Sequence, residues 1–263
     1  MRITILGSGT CTPRLDRSAA AVLVSTDRSN LLLDIGPGTM RRLLEAGHAI
    51  GDLTHIAITH FHPDHTAELV PLLFATRYAE APPRTRPLTV LGGPGLKAFF
   101  SGLQAVYGHW IVLPDDLLQM REIDDPAGAA QAFADFTLSA FPVDHRPESL
   151  AYRIADAGGR TVACSGDSDV CDGLVAAARG ADLFICEASK PDDLKTAGHL
   201  TPSLAGRMAA RAGAKRLVLT HLYPSCDAVD IVKQAAATYK GPVVAATDLM
   251  RFTLDQPDGG KSK

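Results

Sequence analysis

Residues 55–66 read HIAITHFHPDHT, a short apolar run that breaks into three histidines and an aspartate within six positions. The run His55–Thr59 has the length and isoleucine content of a buried strand, so the polar cluster emerges at a strand's end. Open α/β sheets place their chemistry at such ends. A solvated polar loop is the plain alternative, and isolated histidines such as His48 and His55 fit that description or that of satisfied core residues. A cluster this dense, fed by a buried strand, points instead to a set of metal ligands.

On either side of this stretch, short apolar strands alternate with helical segments, which makes the class α/β. Strands are expected near residues 2–6, 20–25, 30–34, 55–59, 88–91, 119–123, 136–142, 150–155, 160–165, 182–187, 215–220 and 242–254. Several follow one another without a helix, and Ala157-Gly158-Gly159 has the composition of a hairpin turn, so antiparallel pairing contributes. Helices fit 39–46, closed by Gly47, and 201–212, with Thr201 as cap, Pro202 in the first turn and Gly213 as the stop. The segment AEAPPRTRP at 79–87 reads as a loop and QPDGGKSK at 256–263 as a polar tail, leaving residues 1–255 as a single domain. One internal echo stands out. IAITHFHP at 56–63 matches LVLTHLYP at 217–224, each an apolar strand ending in Thr-His before a proline turn. Two similar halves facing each other would bring His60 and His221 to one site.

With 263 residues, 46% of them hydrophobic, the chain can bury a sizeable core. The opening MRITILGSGT alternates like a first strand and lacks the apolar segment of a signal peptide. No later run approaches the roughly 18–20 apolar residues of a membrane span, so a cytoplasmic location without a membrane partner is expected. A formal net charge of −3 argues against a broad nucleic-acid footprint. The five cysteines (Cys11, Cys164, Cys171, Cys186 and Cys226) are odd in number, scattered, and form no C-x-x-C pair, so neither a disulfide framework nor a structural zinc ribbon is indicated and most are expected to be small core residues. The glycine loops Gly7-Ser-Gly-Thr10 and Gly36-Pro-Gly38 read as tight strand exits, since neither has G-x-G-x-x-G or a P-loop lysine.

His60, His62, Asp64 and His65 form H-x-H-x-D-H, with Pro63 bending the loop. This spacing can direct alternate side chains to two adjacent metals. Imidazole and carboxylate donors suit zinc, manganese or iron, and no thiolate adds a softer bias. Strand-end positions elsewhere supply His145 after FPVD, Asp167 in CSGDS and His221 at the end of RLVLTH.

In this order the segments resemble the metallo-β-lactamase superfamily, and in detail its ribonuclease Z and small phosphodiesterase branch. The resemblance covers nearly the whole chain, from Leu6-Gly-Ser-Gly9 through Leu33-Asp-Ile-Gly36, the histidine motif, His145 before Ala151-Tyr-Arg-Ile154, and Ser165-Gly-Asp-Ser168, to Leu219-Thr-His221. It implies a four-layer αββα sandwich. It further implies that His60, His62 and His145 hold one divalent ion and Asp64, His65 and His221 a second, most simply zinc, with Asp167 bridging them. Hydrolysis would then proceed by a hydroxide held between the ions beside Asp64, so no serine or cysteine nucleophile is required. Ions about 3.5–4 Å apart lower the pKa of a shared water toward about 7. They also satisfy polar groups whose unpaired burial would cost several kcal/mol.

Glu187 in ICEAS and His199 in GHLT stand where ribonuclease Z carries the glutamate and histidine of its His-Glu-Ala-Thr and His-Ser-Thr motifs, with Cys186 and Leu200 departing from the pattern. The resemblance implies that His199 contacts phosphate and protonates the leaving group while Glu187 orients its imidazole. The bland alternative is a surface ion pair and a helix-capping histidine. Ribonuclease Z commonly inserts a tRNA-gripping arm between the strands ending here near Ala155 and Asp167, where this chain has only Asp156–Gly159. A cyclic nucleotide or other small phosphodiester is therefore the expected substrate, with RNA less favoured. A tRNA 3′-processing endonuclease is the runner-up, a lactonase or sulfatase on the same scaffold is third, and a nucleic-acid-binding relative with purely structural metals is the reading from outside the enzymes. Arg77, Arg84 and Arg86 offer a local phosphate rim, the last two reading more simply as a solvated loop face. The apolar stretch Tyr107–Leu113 suits a pocket wall, a homodimer interface or buried core.

Overall fold

The computed structural model describes residues 1–78 and 83–254; residues 79–82 of the expected proline-rich loop and the expected tail 256–263 lie outside them. In chain order the strands are β1 Arg2–Gly7, β2 Ala21–Ser25, β3 Asn30–Leu33, β4 His55–Ala57, β5 Leu88–Gly92, β6 Leu118–Glu122, β7 Gln131–Ala132, β8 Phe136–Pro142, β9 Leu150–Asp156, β10 Thr161–Cys164, β11 Leu183–Glu187, β12 Leu217–Thr220, β13 Val243–Ala245 and β14 Arg251–Thr253. The α-helices are α1 Thr39–Glu45, α2 Pro63–Thr66, α3 Leu69–Tyr78, α4 Leu96–Tyr107, α5 Asp172–Ala178, α6 Pro202–Ala212 and α7 Ile231–Thr238.

The strands form two seven-stranded sheets, ordered β14-β1-β2-β3-β4-β5-β6 and β13-β12-β11-β10-β9-β8-β7. Within each sheet one half is parallel, β3 to β6 in the first and β10 to β13 in the second. The inner parallel strands are covered on both faces, which is why β5, β11 and β12 are buried along their whole length and do not alternate with polar positions. One core, including Ile3, Leu31, Leu138 and Val218, fills the space between the sheets. A second packs Leu43, Leu72 and Phe100 of α1, α3 and α4 against the outer face of the first sheet. A third packs Leu174, Met208 and Ala235 of α5, α6 and α7 against the second. These layers make the expected αββα sandwich.

The expected strand at 242–254 is instead two strands in different sheets. β13 extends the second sheet beside β12, and β14 pairs with β1 at the edge of the first. The chain crosses between them through Leu249, whose φ of 65° breaks the extended run. Thr201 makes no side-chain cap on α6. Asp192 accepts from the Ser203 amide at 3.0 Å instead, and so satisfies a free donor of the first turn. Gly213 closes that helix in the left-handed conformation, and Ala157–Gly159 turns β9 into β10 with nothing inserted. Arg84 is neither a rim nor a solvated side chain. It is 9% exposed and donates to the carbonyls of Ile50 and Leu53, while Arg77 donates to that of Val112. Among the described residues no helix is long and apolar enough to cross a membrane.

Candidate metal centre

β3, β4, β10, β11 and β12 end at one edge of the sandwich; Glu187 is the last residue of β11, and the loops leaving the other four hold Asp34, His60, Asp167 and His221. β8 runs in the same sense as β10, since β9 is antiparallel to both, so His145 leaves at that edge too. The backbone is bent to permit this. Asp34 and His221 have φ of 60° and 57°, a region non-glycine residues seldom occupy and one that recurs at functional sites. A Cβ on Gly36 would lie 1.8 Å from the Asp64 carbonyl, so only glycine admits the motif loop so close to the end of β3.

The structure brings all seven expected ligand residues together. One atom from each of His60, His62, His145 and Asp167 falls within 4.8 Å of the others, as does one from each of Asp64, His65 and His221. The carboxylate of Asp167 divides between the groups. Its Oδ2 lies 3.8 Å from His60 Nε2 and 3.9 Å from His145 Nε2; its Oδ1 lies 3.4 Å from both His65 Nε2 and His221 Nε2. Tetrahedral coordination with bonds of about 2.0–2.1 Å puts neighbouring donors about 3.3 Å apart, close to these separations.

Far-side contacts fix the ring tautomers. His65 Nδ1 donates to Asp34 at 2.8 Å, His145 Nδ1 to the Gly198 carbonyl at 2.9 Å, and His221 Nδ1 to Ser189 Oγ at 3.1 Å. His60 Nδ1 lies 3.1 Å from Thr59 Oγ1, which itself donates to Asp34. In the neutral rings the inward-facing nitrogen is thereby left with a lone pair, the arrangement metal-ligating histidines show, and His65 reaches it by releasing its Nε2 proton when a cation binds. Burial holds His60 down to about 2, so its ring is neutral. Burial works against charge on Asp64 as well, but the His221 and His65 partners outweigh it and bring that carboxyl to about 2. Asp167 is likewise held well below the carboxylate range by His221 and His65 in spite of burial. For His65, burial is outweighed by Asp167 and Asp34, and the pKa rises well above the usual imidazole value.

The donor set fits divalent cations. His65 Nε2, Asp167 Oδ1 and His221 Nε2 are buried, face one another, and have no hydrogen-bond partner among the described residues. An unsatisfied buried polar group costs about 1–3 kcal/mol, so three at one point form a poor core but a good ligand cage.

Beside this cage, Glu187 is fully buried, which removes the surface ion-pair reading. Its Oε1 accepts from the Ser168 amide at 2.7 Å and from His199 Nδ1 at 3.0 Å, and its Oε2 from Ser189 Oγ. His199 Nδ1 stands 3.9 Å from Asp167 Oδ2, and Glu187 raises its pKa in spite of burial. Asp34 and Ser189 are positioning residues to which the sequence had given no role. The only signal was a polar residue closing an apolar strand in LLLDIG and in LFICEAS.

Comparison with known proteins places this geometry in context. Residues 29–222 match the family model described as a beta-lactamase superfamily domain. An uncharacterized protein of Mycobacterium leprae is 33% identical over 98% of this chain and 90% of its own length. A ribonuclease Z of Mycobacterium bovis is 29% identical over 97% of this chain and 98% of its own. The crystal structure of the metallo-beta-lactamase fold protein YhfI from Bacillus subtilis superposes with a TM-score of 0.81 at 25% identity, covering 95% of this chain and 98% of that one.

Proposed function

This chain belongs to the beta-lactamase superfamily and is a hydrolase of the metallo-β-lactamase fold, and we propose that it is a binuclear phosphodiesterase acting on a cyclic nucleotide or another small phosphodiester. The supporting observation is the Glu187–His199 pair: a fully buried carboxylate hydrogen-bonded to a half-buried imidazole beside Asp167. His60, His62 and His145 would hold one ion, Asp64, His65 and His221 the other, and Asp167 both. When bound, such ions supply Lewis-acid charge for the phosphoryl oxygens and activate water. The chain's own residues do the rest. Asp34, Ser189 and the Gly198 carbonyl keep the ligand rings in register. Glu187 accepts the Nδ1 proton of His199, leaving Nε2 to touch a phosphoryl oxygen and protonate the departing alkoxide.

The four-residue turn at Asp156–Gly159 supports a small substrate, because no arm is present there to hold RNA. The full-length similarity to a ribonuclease Z keeps tRNA 3′ processing as the second reading. Our reading treats residues 1–255 as one domain, acting in the cytoplasm, with zinc as the first metal to test and manganese or iron next; it also admits a homodimer. The deciding experiment is a substrate panel on metal-loaded protein: bis(p-nitrophenyl) phosphate, 2′,3′- and 3′,5′-cyclic nucleotides, pre-tRNA, lactones and aryl sulfates. Small phosphodiesters should be turned over fastest. Efficient cleavage of pre-tRNA at its 3′ trailer would favour the second reading, and lactones or sulfates alone would remove both.

A further inference from the structure

The motif loop has a second face. Phe61 and Pro63, which alternate with ligands His60, His62 and Asp64, line a cleft of about 810 Å³ whose other walls come from α3, α4 and the turn after α4. This lies within the roughly 300–1,000 Å³ usual for small-molecule sites. The walls are aromatic. The Phe61 ring stacks on Phe99 with centroids 4.9 Å apart and planes within 7°, and Trp110 lies 6.0 Å from Phe74 and 5.6 Å from Tyr78. Among the described residues no lining side chain carries a charge, yet Phe74, Tyr107 and Trp110 are 45%, 44% and 48% exposed. Exposed apolar surface of this extent marks a binding face, and its concave, aromatic form suits a small-molecule wall.

We infer that this cleft is the subsite for a planar aromatic group of nucleobase size borne by the phosphoester. The inference rests on the phosphodiesterase reading and names its substrate class. Phe61 is flanked by ligands His60 and His62, and Pro63 by His62 and Asp64, with consecutive Cα atoms about 3.8 Å apart, so the cleft and the cage share one loop. Stacking a base on an aromatic side chain contributes about 1–3 kcal/mol and is tolerant of base identity. Thr66 Oγ1, a polar atom of the wall, already donates to the His62 carbonyl at 2.9 Å. The aromatic walls thus favour aromatic over non-aromatic esters.

Trp110 is the only tryptophan in the chain, so intrinsic fluorescence reports this cleft without turnover. Metal-loaded protein is titrated with AMP, phenyl phosphate and ribose 5-phosphate. AMP and phenyl phosphate should quench saturably, ribose 5-phosphate should not, and Phe74→Ala, shown folded by circular dichroism, should weaken AMP binding about tenfold. Equal responses to all three ligands, or none, overturn the subsite. So does an emission that ignores nucleotide but shifts with protein concentration alongside a monomer–dimer transition in sedimentation, which gives the cleft to a second copy of this chain. Saturable quenching by AMP together with an inactive substrate panel keeps the subsite and removes the phosphodiesterase reading; an active panel without quenching does the reverse.

Discussion

Replacing His199 by Ala separates proton delivery from metal assembly. His199 stands close enough to Asp167 and His221 to be counted with them as a ligand group. Its Nδ1, however, is 3.0 Å from Glu187 Oε1 and is committed to that carboxylate. The variant should therefore keep its metal and its fold. Loss of general acid help typically lowers turnover by about 10²–10⁴, equivalent to about 3–5 kcal/mol of transition-state stabilisation at 1.36 kcal/mol per tenfold. The loss should appear with a nucleotide ester, which expels a basic alkoxide. It should shrink below about tenfold with bis(p-nitrophenyl) phosphate, whose aryl oxide leaves with little need of a proton. The assay is kcat on both substrates, with metal content measured on the same preparations, and Glu187→Gln should give a weaker form of the same pattern. Equal losses on the two esters would assign His199 to phosphate binding. Loss of a metal equivalent would refute its placement outside the cage.

Asp167→Ala removes the carboxylate shared by both donor groups, so metal content should fall from about two equivalents toward zero together with activity; one retained equivalent with full activity would sink the binuclear arrangement. Asp34→Asn withdraws the charge that receives His65 Nδ1, and should weaken metal affinity about 10–100-fold in a chelator competition while the chain stays folded. Burial first, and Arg121 second, hold His55 at about 4, below its ordinary 6.5. The unfolded chain takes up that proton first, so this contribution to stability is complete above about pH 6.5 and is lost as the pH falls toward 4. His55→Phe, which preserves an aromatic ring against Phe133 and Phe136, should flatten the fall in denaturation midpoint across that window in metal-free protein; an unchanged slope would refute the assignment.

The ligand set was legible in the sequence because its chemistry resides in residue type at strand ends, and a short apolar run followed by His-x-His or Gly-Asp marks such an end without any knowledge of neighbours. What failed depended on partners distant in the chain. The run 242–254 is apolar enough for a strand, but its composition does not say that β13 joins one sheet and β14 the other. Arg84 resembles any loop arginine until the carbonyls of Ile50 and Leu53 are seen beside it. Asp34 acts on His65, 31 positions away, and only a positive φ turns its carboxylate there.

The internal echo between β4 and β12 leads one step further. His60, His62, Asp64 and His65 leave the first sheet, whereas His145, Asp167 and His221 leave the second, so both donor groups draw on both halves. The halves already meet there: the Leu150 amide donates to the Thr59 carbonyl at 2.9 Å, and the buried Tyr152 hydroxyl to that of Ile58 at 2.8 Å. Gly166 completes the contact with φ of 58°, since a Cβ would lie 2.7 Å from Thr59 Cβ. The residue after that glycine is Asp167. Close approach of the sheets is thus what seats the shared carboxylate between the two groups, and cations bound there would link the halves in addition to supplying charge for hydrolysis. The same buried polar atoms that weaken the metal-free core would become its cross-link.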